Sequence, residues 1–330
     1  MINGAKVLVT GAAGFIGSHL VSCLVHNGAQ VRALVHYNSR QDVGNLRFLD
    51  EETLASVEVV HGDVRDFGSV LQAAAGCSVI YHLAALIGIP YSYQAPRSYV
   101  DTVIGGTLNV LEAAKTLGTQ RVLHVSTSEV YGDPVYTPMD ECHPLITKSP
   151  YSACKAGADH LAQSYFHSFG TPVVTVRPFN TYGARQSPRA VIPTIIGQLL
   201  AGCLRIALGD ITTKRDLTHV SDTCVGMLWA SKEYRAIGEV FVLGSGVQYT
   251  IEDIALKLIA MINPEATIVS NPDRMRPEGS EVRSLLANAT KAGEWLEWQG
   301  GAVDIDLGLE MTVDFMRKHP EFWGADEYQV

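Results

Sequence analysis

No stretch of the 330-residue chain supplies the about 18 uncharged apolar residues in a row that a membrane-spanning helix needs. Nor does the opening MINGAKVLVTG carry a basic region followed by a long apolar core, so neither a membrane span nor an export signal is expected and a cytoplasmic setting is. Cys23, Cys77, Cys142, Cys154, Cys203 and Cys224 are scattered, without a Cys-x-x-Cys pair, which argues against a zinc site and a disulfide framework and fits a reducing compartment. The net charge of -9 comes without blocks of one sign, so broad attraction to nucleic acid or anionic lipid is not expected. An anionic ligand would have to be held by individual arginines.

With those classes set aside, the chain has ample apolar material, 47% of its residues, to bury a large core. Short β-branched runs at Val7–Val9, Val31–Val35, Val57–Val60, Val79–Leu83, Val122–Val125 and Val173–Val176 alternate with helical patterns. That rhythm predicts βαβ units and a parallel sheet covered on both faces. Leu20, Val21, Leu24 and Val25 form one helical stripe ending at Gly28, and Leu108, Val110, Leu111, Ala113 and Ala114 form another ending near Gly118. After Asn180 the texture changes: a proline- and arginine-bearing segment leads to a short strand, LRIAL, and to helices from Ser221, Thr250 and Asp304. Thr250 and Asp253 have the spacing of a capping box. The expected fold is α/β, with a doubly wound parallel sheet over residues 1–180, a returning segment around 216–245, and a smaller, interleaved C-terminal α/β lobe drawn mainly from 181–330.

Two constellations carry chemistry. Gly11, Gly14 and Gly17 follow a predicted strand and open a predicted helix, with Phe15 and Ile16 between the last two. Glycines there let a pyrophosphate reach the backbone N–H groups at a helix N-terminus, where the helix dipole also favours an anion. Tyr151 and Lys155, four residues apart, share one face of a helix. An ammonium so placed favours the phenolate and lowers a phenol pKa that is otherwise about 10, preparing tyrosine to act as a base.

The G-x-x-G-x-x-G spacing of TGAAGFIGSHL resembles the fingerprint of the extended short-chain dehydrogenase/reductase superfamily, whose dinucleotide-binding domain has the Rossmann fold. GDVRD (62–66), HLAA (82–85), STSEVYG (126–132), YSACK (151–155) and RPFNTYG (177–183) continue the resemblance in order along more than half the chain. It implies that Asp63 and Val64 lie beside the adenine, and that Leu83, Ala84, Ala85 and Pro178 lie near the rest of a bound NAD(P). The second strand ends VRALVHYNSR without an acid to accept from a ribose 2′-hydroxyl. Arg32, His36, Ser39 and Arg40 are instead candidates for a 2′-phosphate, so the expectation leans towards NADP.

By the same resemblance, Thr127 hydrogen-bonds the sugar oxygen being oxidised, and Glu129 stands where simple 4-epimerases carry a small residue. A carboxylate beside a keto-sugar suggests proton removal next to the carbonyl, and the chain is similar to nucleotide-sugar 4,6-dehydratases. These oxidise C-4, remove the C-5 proton, expel the C-6 hydroxyl and return the hydride, so the cofactor is recycled and held tightly. The motif is Thr127-Ser128-Glu129, whereas dTDP-glucose members have Thr-Asp-Glu; GDP-mannose dehydratases show the serine. Val103 occupies a position where relatives usually place asparagine, a change expected to alter packing more than chemistry.

Arg215, Arg276 and Asn180 match positions that contact the pyrophosphate of a nucleotide sugar, where arginine serves as a bidentate donor. HLAALIGIPYSYQAPRSYVDT and RPFNTYGARQSPRAVIPTII look most like dehydratases of UDP- or GDP-N-acetylglucosamine in legionaminic acid-type pathways, which would bring Tyr91, Tyr93 and Arg189 near the sugar or base. UDP-glucuronate decarboxylases share STSEVYGDP, so decarboxylation stays open; 4-epimerisation is disfavoured by Glu129, and a non-catalytic dinucleotide sensor by Thr127, Tyr151 and Lys155. No metal is called for. The resemblance also implies a homodimer formed by the helix before Gly118 and the helix bearing Tyr151.

Overall fold

A computed structural model describes residues 2–274 and 282–323. Seven parallel strands form the main sheet: β1 (Lys6–Thr10), β2 (Gln30–His36), β3 (Glu58–Gly62), β4 (Val79–His82), β5 (Arg121–Val125), β6 (Val173–Pro178) and β10 (Val240–Leu243). Their order is β10-β6-β5-β4-β1-β2-β3, so the winding reverses between β1 and β4. Ligands bind at such a reversal, outside the carboxyl ends of the strands. β10, the run Val240-Phe241-Val242-Leu243, completes one edge and is a strand that the sequence reading did not place.

Alternation along each strand explains why helices cover both faces. Val7 and Val9 join Leu20, Val21 and Leu24 of the Phe15–His26 helix in one core layer, with Met227 and Phe241. Leu8 points the other way, into a layer with Val110, Leu111, Ala162 and Tyr165. The two predicted stripes form the helices Phe15–His26 and Gly106–Leu117, and Gly28 and Gly118 beyond their ends take left-handed φ of 80° and 63°. Leu108 departs from the expected apolar stripe: it is exposed on the outer face.

The second lobe has its own core, in which Ile192, Ile195, Ile196, Ile254, Leu258, Leu309 and Val313 pack around Tyr182. Its strands are β7 (Asn180–Tyr182), β8 (Arg205–Leu208), β9 (Lys214–His219), β11 (Gln248–Thr250), β12 (Thr267–Ser270) and β13 (Ser284–Leu285). The 216–245 segment divides between the lobes: β9 pairs with β7, β11 and β13, while β10 returns to β6. Thr250 Oγ1 accepts from Asp253 N at 2.9 Å and Asp253 Oδ2 accepts from Thr250 N at 2.9 Å, closing the capping box of the Ile251–Ile262 helix. Among the described residues no helix is long and apolar enough to cross a membrane.

Candidate active site

The glycine turn sits at the sheet's reversal point and is shaped by close approach. Gly11 has φ of +70°, and a Cβ there would come within 2.8 Å of the backbone nitrogen of Ala84, just beyond β4. At Gly17 a Cβ would collide with the Gly11 carbonyl oxygen, so the helix can begin this near the turn only without a side chain. Gly14 is the N-cap, and no side chain caps the helix. The N–H groups of its first turn, with Phe15 and Ile16, are thus presented beside Leu83, Ala84 and Ala85 in a cradle that suits a pyrophosphate. Thr10 sets the far wall: its hydroxyl accepts from Ala84 N at 3.2 Å and bonds His82 Nδ1 at 2.8 Å.

Around the end of β2 the structure differs from expectation at Arg32. Its guanidinium turns towards the sheet edge, donating to the carbonyls of Ala73 and Ala75 at 2.7 and 2.9 Å and pairing with Glu58 at 2.9 Å. These partners engage its Nη1 and Nε. His36, Ser39 and Arg40 stand exposed at the strand's end. Asp63 is held by Arg65 at 2.6 Å, and hydrogen bonds from Arg65 keep its carboxyl below the ordinary range. Val64 is buried against Gly106.

The second constellation gathers where β5 ends. Thr127 N-caps the short turn Ser128–Val130, its Oγ1 accepting from Glu129 N at 3.2 Å. Ser149 caps the Pro150–Phe169 helix and aims its first turns at that site, so Tyr151 and Lys155 arrive buried beside Thr127. Burial pushes the Tyr151 phenol well above its usual range; its hydrogen bond with Thr127 opposes this and the Glu129 charge adds to it. The sequence reading expected the ammonium to lower this phenol. Desolvation is instead the largest influence on it. Lys155 Nζ donates to the Val125 carbonyl at 2.8 Å, and burial lowers its pKa to about 8 against the opposing effect of Asp159.

The family described as GDP-mannose 4,6 dehydratase matches residues 8–312 of this chain. The chain belongs to the nucleotide-sugar epimerase and dehydratase family of extended short-chain dehydrogenases/reductases. It is 37% identical to a dTDP-glucose 4,6-dehydratase of Actinoplanes sp. over 96% of this chain and 99% of that one. Haloferax volcanii's low-salt glycan biosynthesis protein Agl12 is 34% identical, over 94% and 97%. Among solved structures, a UDP-glucuronic acid 4-epimerase from Bacillus cereus, in complex with UDP-glucuronic acid and NAD, superposes with a TM-score of 0.86 at 31% identity, covering 95% of this chain and 99% of that one. A dTDP-glucose 4,6-dehydratase from Streptomyces venezuelae with NAD bound gives 0.85 at 30%, covering 97% and 99%.

The remaining predicted residues are placed as follows. Tyr91 and Tyr93 lie on the short helix Ile89–Gln94 and are 45% and 38% exposed, so they are not core aromatics. Asn180 opens β7, and its Oδ1 is buried without a hydrogen-bond partner among the described residues. Pro178 ends β6 and Arg215 is buried on β9, donating to the Lys214 carbonyl at 3.0 Å. Arg189 is exposed near Tyr99. Arg276 lies outside the described residues.

Tyr99 and Asp159 were not singled out in the sequence. The Tyr99 ring meets Tyr151 edge-on at 6.2 Å and Tyr91 at 6.3 Å, making an aromatic wall from the tyrosine helix to the 89–94 segment. Val103, 1% exposed, packs in the same cluster with Tyr151 and Cys154. Asp159 stands one turn beyond Lys155 and had a legible signal: positions 151, 155 and 159 repeat every four residues on one helix face.

Proposed function

We propose that this chain is a nucleotide-sugar 4,6-dehydratase acting on UDP- or GDP-linked N-acetylglucosamine. The observation that carries the reading is the convergence of Thr127, Glu129, Tyr151 and Lys155 at the end of β5, with Glu129 close enough for its charge to act on the Tyr151 phenol. The cradle at Gly11 and Gly17, which a Cβ would fill, and the uncapped helix N-terminus fit a dinucleotide. NAD(P), when bound there, supplies a hydride acceptor and donor.

Tyr151 takes the proton of the C-4 hydroxyl while Thr127 hydrogen-bonds the same oxygen, and the Lys155 ammonium offsets the phenolate charge. Glu129 then removes the C-5 proton, which the neighbouring carbonyl makes acidic. Ser128 is too weak an acid to protonate the departing C-6 hydroxyl, so Glu129 carries its proton from C-5 to that oxygen. This division of labour favours substrates other than dTDP-glucose, although curated relatives include dTDP-glucose enzymes. Arg215, Asn180 and Arg276 would hold the diphosphate, with Tyr91, Tyr93 and Arg189 at the sugar or base. With Arg32 engaged elsewhere, the lean towards NADP loses its most buried donor, and NAD is the form we favour. The proposed assembly is a homodimer through the helices Gly106–Leu117 and Pro150–Phe169, which expose Leu108, Leu117 and Phe169.

Incubation with UDP-N-acetylglucosamine, GDP-N-acetylglucosamine and dTDP-glucose in deuterated water tests the reading by mass spectrometry. A 4-keto-6-deoxy product labelled at C-5 is expected from an N-acetylglucosamine donor; conversion of dTDP-glucose alone would correct the substrate, and unlabelled recovery of every donor would overturn dehydration. Glu129→Gln should still reduce the bound cofactor but fail to eliminate water.

A further inference from the structure

Beneath the site lies a buried layer of polar side chains that the mechanism above does not use. Three carboxylates are buried among the described residues: Asp159, Asp216 and Asp222. Asp216 accepts from the backbone N–H groups of Ser245, Gly246 and Ala287, and Asp222 from that of Val303, so both fasten chain segments together. Asp159 is partnered by side chains. Its Oδ1 accepts from His124 Nε2 at 3.1 Å, and its Oδ2 accepts from Arg177 Nε at 3.0 Å. Arg177 extends the layer to Tyr131, whose hydroxyl accepts from Nη1 at 3.2 Å.

Two cations, Lys155 and Arg177, are buried in this layer, and both flank the same carboxylate. Lys155 Nζ donates to a neutral carbonyl, that of Val125, so the negative charge buried with it comes from Asp159. A buried ammonium without such a charge gives up its proton, because desolvation penalises the charged form. The other ionisable groups facing this region are Tyr151 on the same helix, His82 on β4, His124 on β5, Glu129 and Tyr131 at the turn after β5, and Tyr99. Neither histidine substitutes for the carboxylate. His82 is bonded on both ring nitrogens by Thr10 and Thr107 hydroxyls, and burial lowers the pKa of both imidazoles.

We propose that Asp159 is a positioning residue of the reaction: its buried carboxylate balances the Lys155 ammonium and ties β5 and β6 together beneath Tyr151. The proposal rests on the reading of Tyr151 and Lys155 as the chemical pair. Burial works against the carboxylate, but its hydrogen bond from His124 and the Arg177 charge hold it below the ordinary range. Asparagine at this position would keep the shape and leave two buried cations with no counter-charge.

The test follows the Lys155 Nζ resonance in 15N-lysine-labelled full-length protein, assigned with Lys155→Arg. In Asp159→Asn the titration midpoint is expected to fall by about one unit or more, the size of a near opposite charge. The alkaline limb of turnover should shift the same way, with whichever of UDP-N-acetylglucosamine, GDP-N-acetylglucosamine or dTDP-glucose the wild type converts. Asp159→Glu should restore both. A folded Asp159→Asn protein with an unmoved midpoint overturns the proposal, as does a uniform loss of turnover without a shifted limb. Should Asp159→Asn not fold, Arg177→Gln decides: freeing the carboxylate from its second cation should raise the Lys155 midpoint, and no rise overturns the proposal. If the wild type converts no nucleotide sugar, the functional reading fails while the resonance still tests Asp159.

Discussion

At the carboxyl end of β1 the chain makes room by leaving side chains out, whereas at the end of β5 it crowds ionisable side chains together away from water. In the glycine turn, Gly11 and Gly17 contribute only the absence of a Cβ, and the working groups are backbone N–H donors of the Phe15–His26 helix. Around Tyr151, in contrast, Thr127, Lys155, Asp159, His124 and Arg177 contribute specific polar atoms, most of them buried. The first region should therefore break when atoms are added, and the second when a single atom is removed. Damage should also register differently, as lost folding or cofactor affinity in one and as lost turnover of a folded protein in the other.

Tyr151→Phe gives the largest separation. It removes one oxygen from a buried ring whose packing against Tyr99 is otherwise retained. Turnover should fall by about 10²- to 10⁴-fold, the usual contribution of a positioned acid or base. Thermal unfolding should change little, since the oxygen's hydrogen bond to Thr127 contributes about 1 kcal/mol. A folded Tyr151→Phe protein with near-normal turnover would place the base elsewhere.

Gly17→Ala tests the other side of the contrast, with a smaller free-energy change. The added methyl meets the Gly11 carbonyl oxygen, which is backbone and cannot swing aside, so a loss of about 2–3 kcal/mol in stability is expected from overpacking. At Gly14 a methyl would come no nearer than 3.2 Å to that same oxygen, and φ there is -79°. Gly14→Ala should therefore keep most of the stability while weakening dinucleotide binding, as read by calorimetric titration with NAD. Equal destabilisation by both substitutions would mean that the turn is not shaped by the approach of Gly17 to Gly11.

These two regions were also unequally legible in the sequence. The glycine spacing and the Tyr151/Lys155 pair are local patterns, and the β-branched runs show six strands of the main sheet because a doubly covered strand is apolar on both faces. β10 was missed although Val240–Leu243 is just such a run, since it lies beyond the point where the alternation of strand and helix gives way to the second lobe. Arg32 shows a different limit. Its position at a strand's middle follows from the sequence, but the direction of a long side chain depends on what the neighbouring strand and helix end offer, here Glu58 and two free carbonyls. Asp159 lay on a readable helical repeat, yet its partners His124 and Arg177 come from two different strands. Only the register of β5 beside β6 brings them to one carboxylate.

Arg32→Gln makes the smallest of these changes and sharpens the contrast on the cofactor side. The guanidinium closes the end of the Phe67–Ala74 helix by donating to Ala73 and Ala75, and it pairs with a half-exposed Glu58. Losing those bonds should cost about 1–2 kcal/mol in thermal stability. Because none of them faces the cradle, the ratio of affinities for NAD and NADP should stay within about twofold, less than about 0.5 kcal/mol. A selective tenfold loss of NADP affinity would return Arg32 to the 2′-phosphate site and require its side chain to leave Glu58. An unchanged ratio would instead leave discrimination to His36, Ser39 and Arg40, the exposed groups at the end of β2.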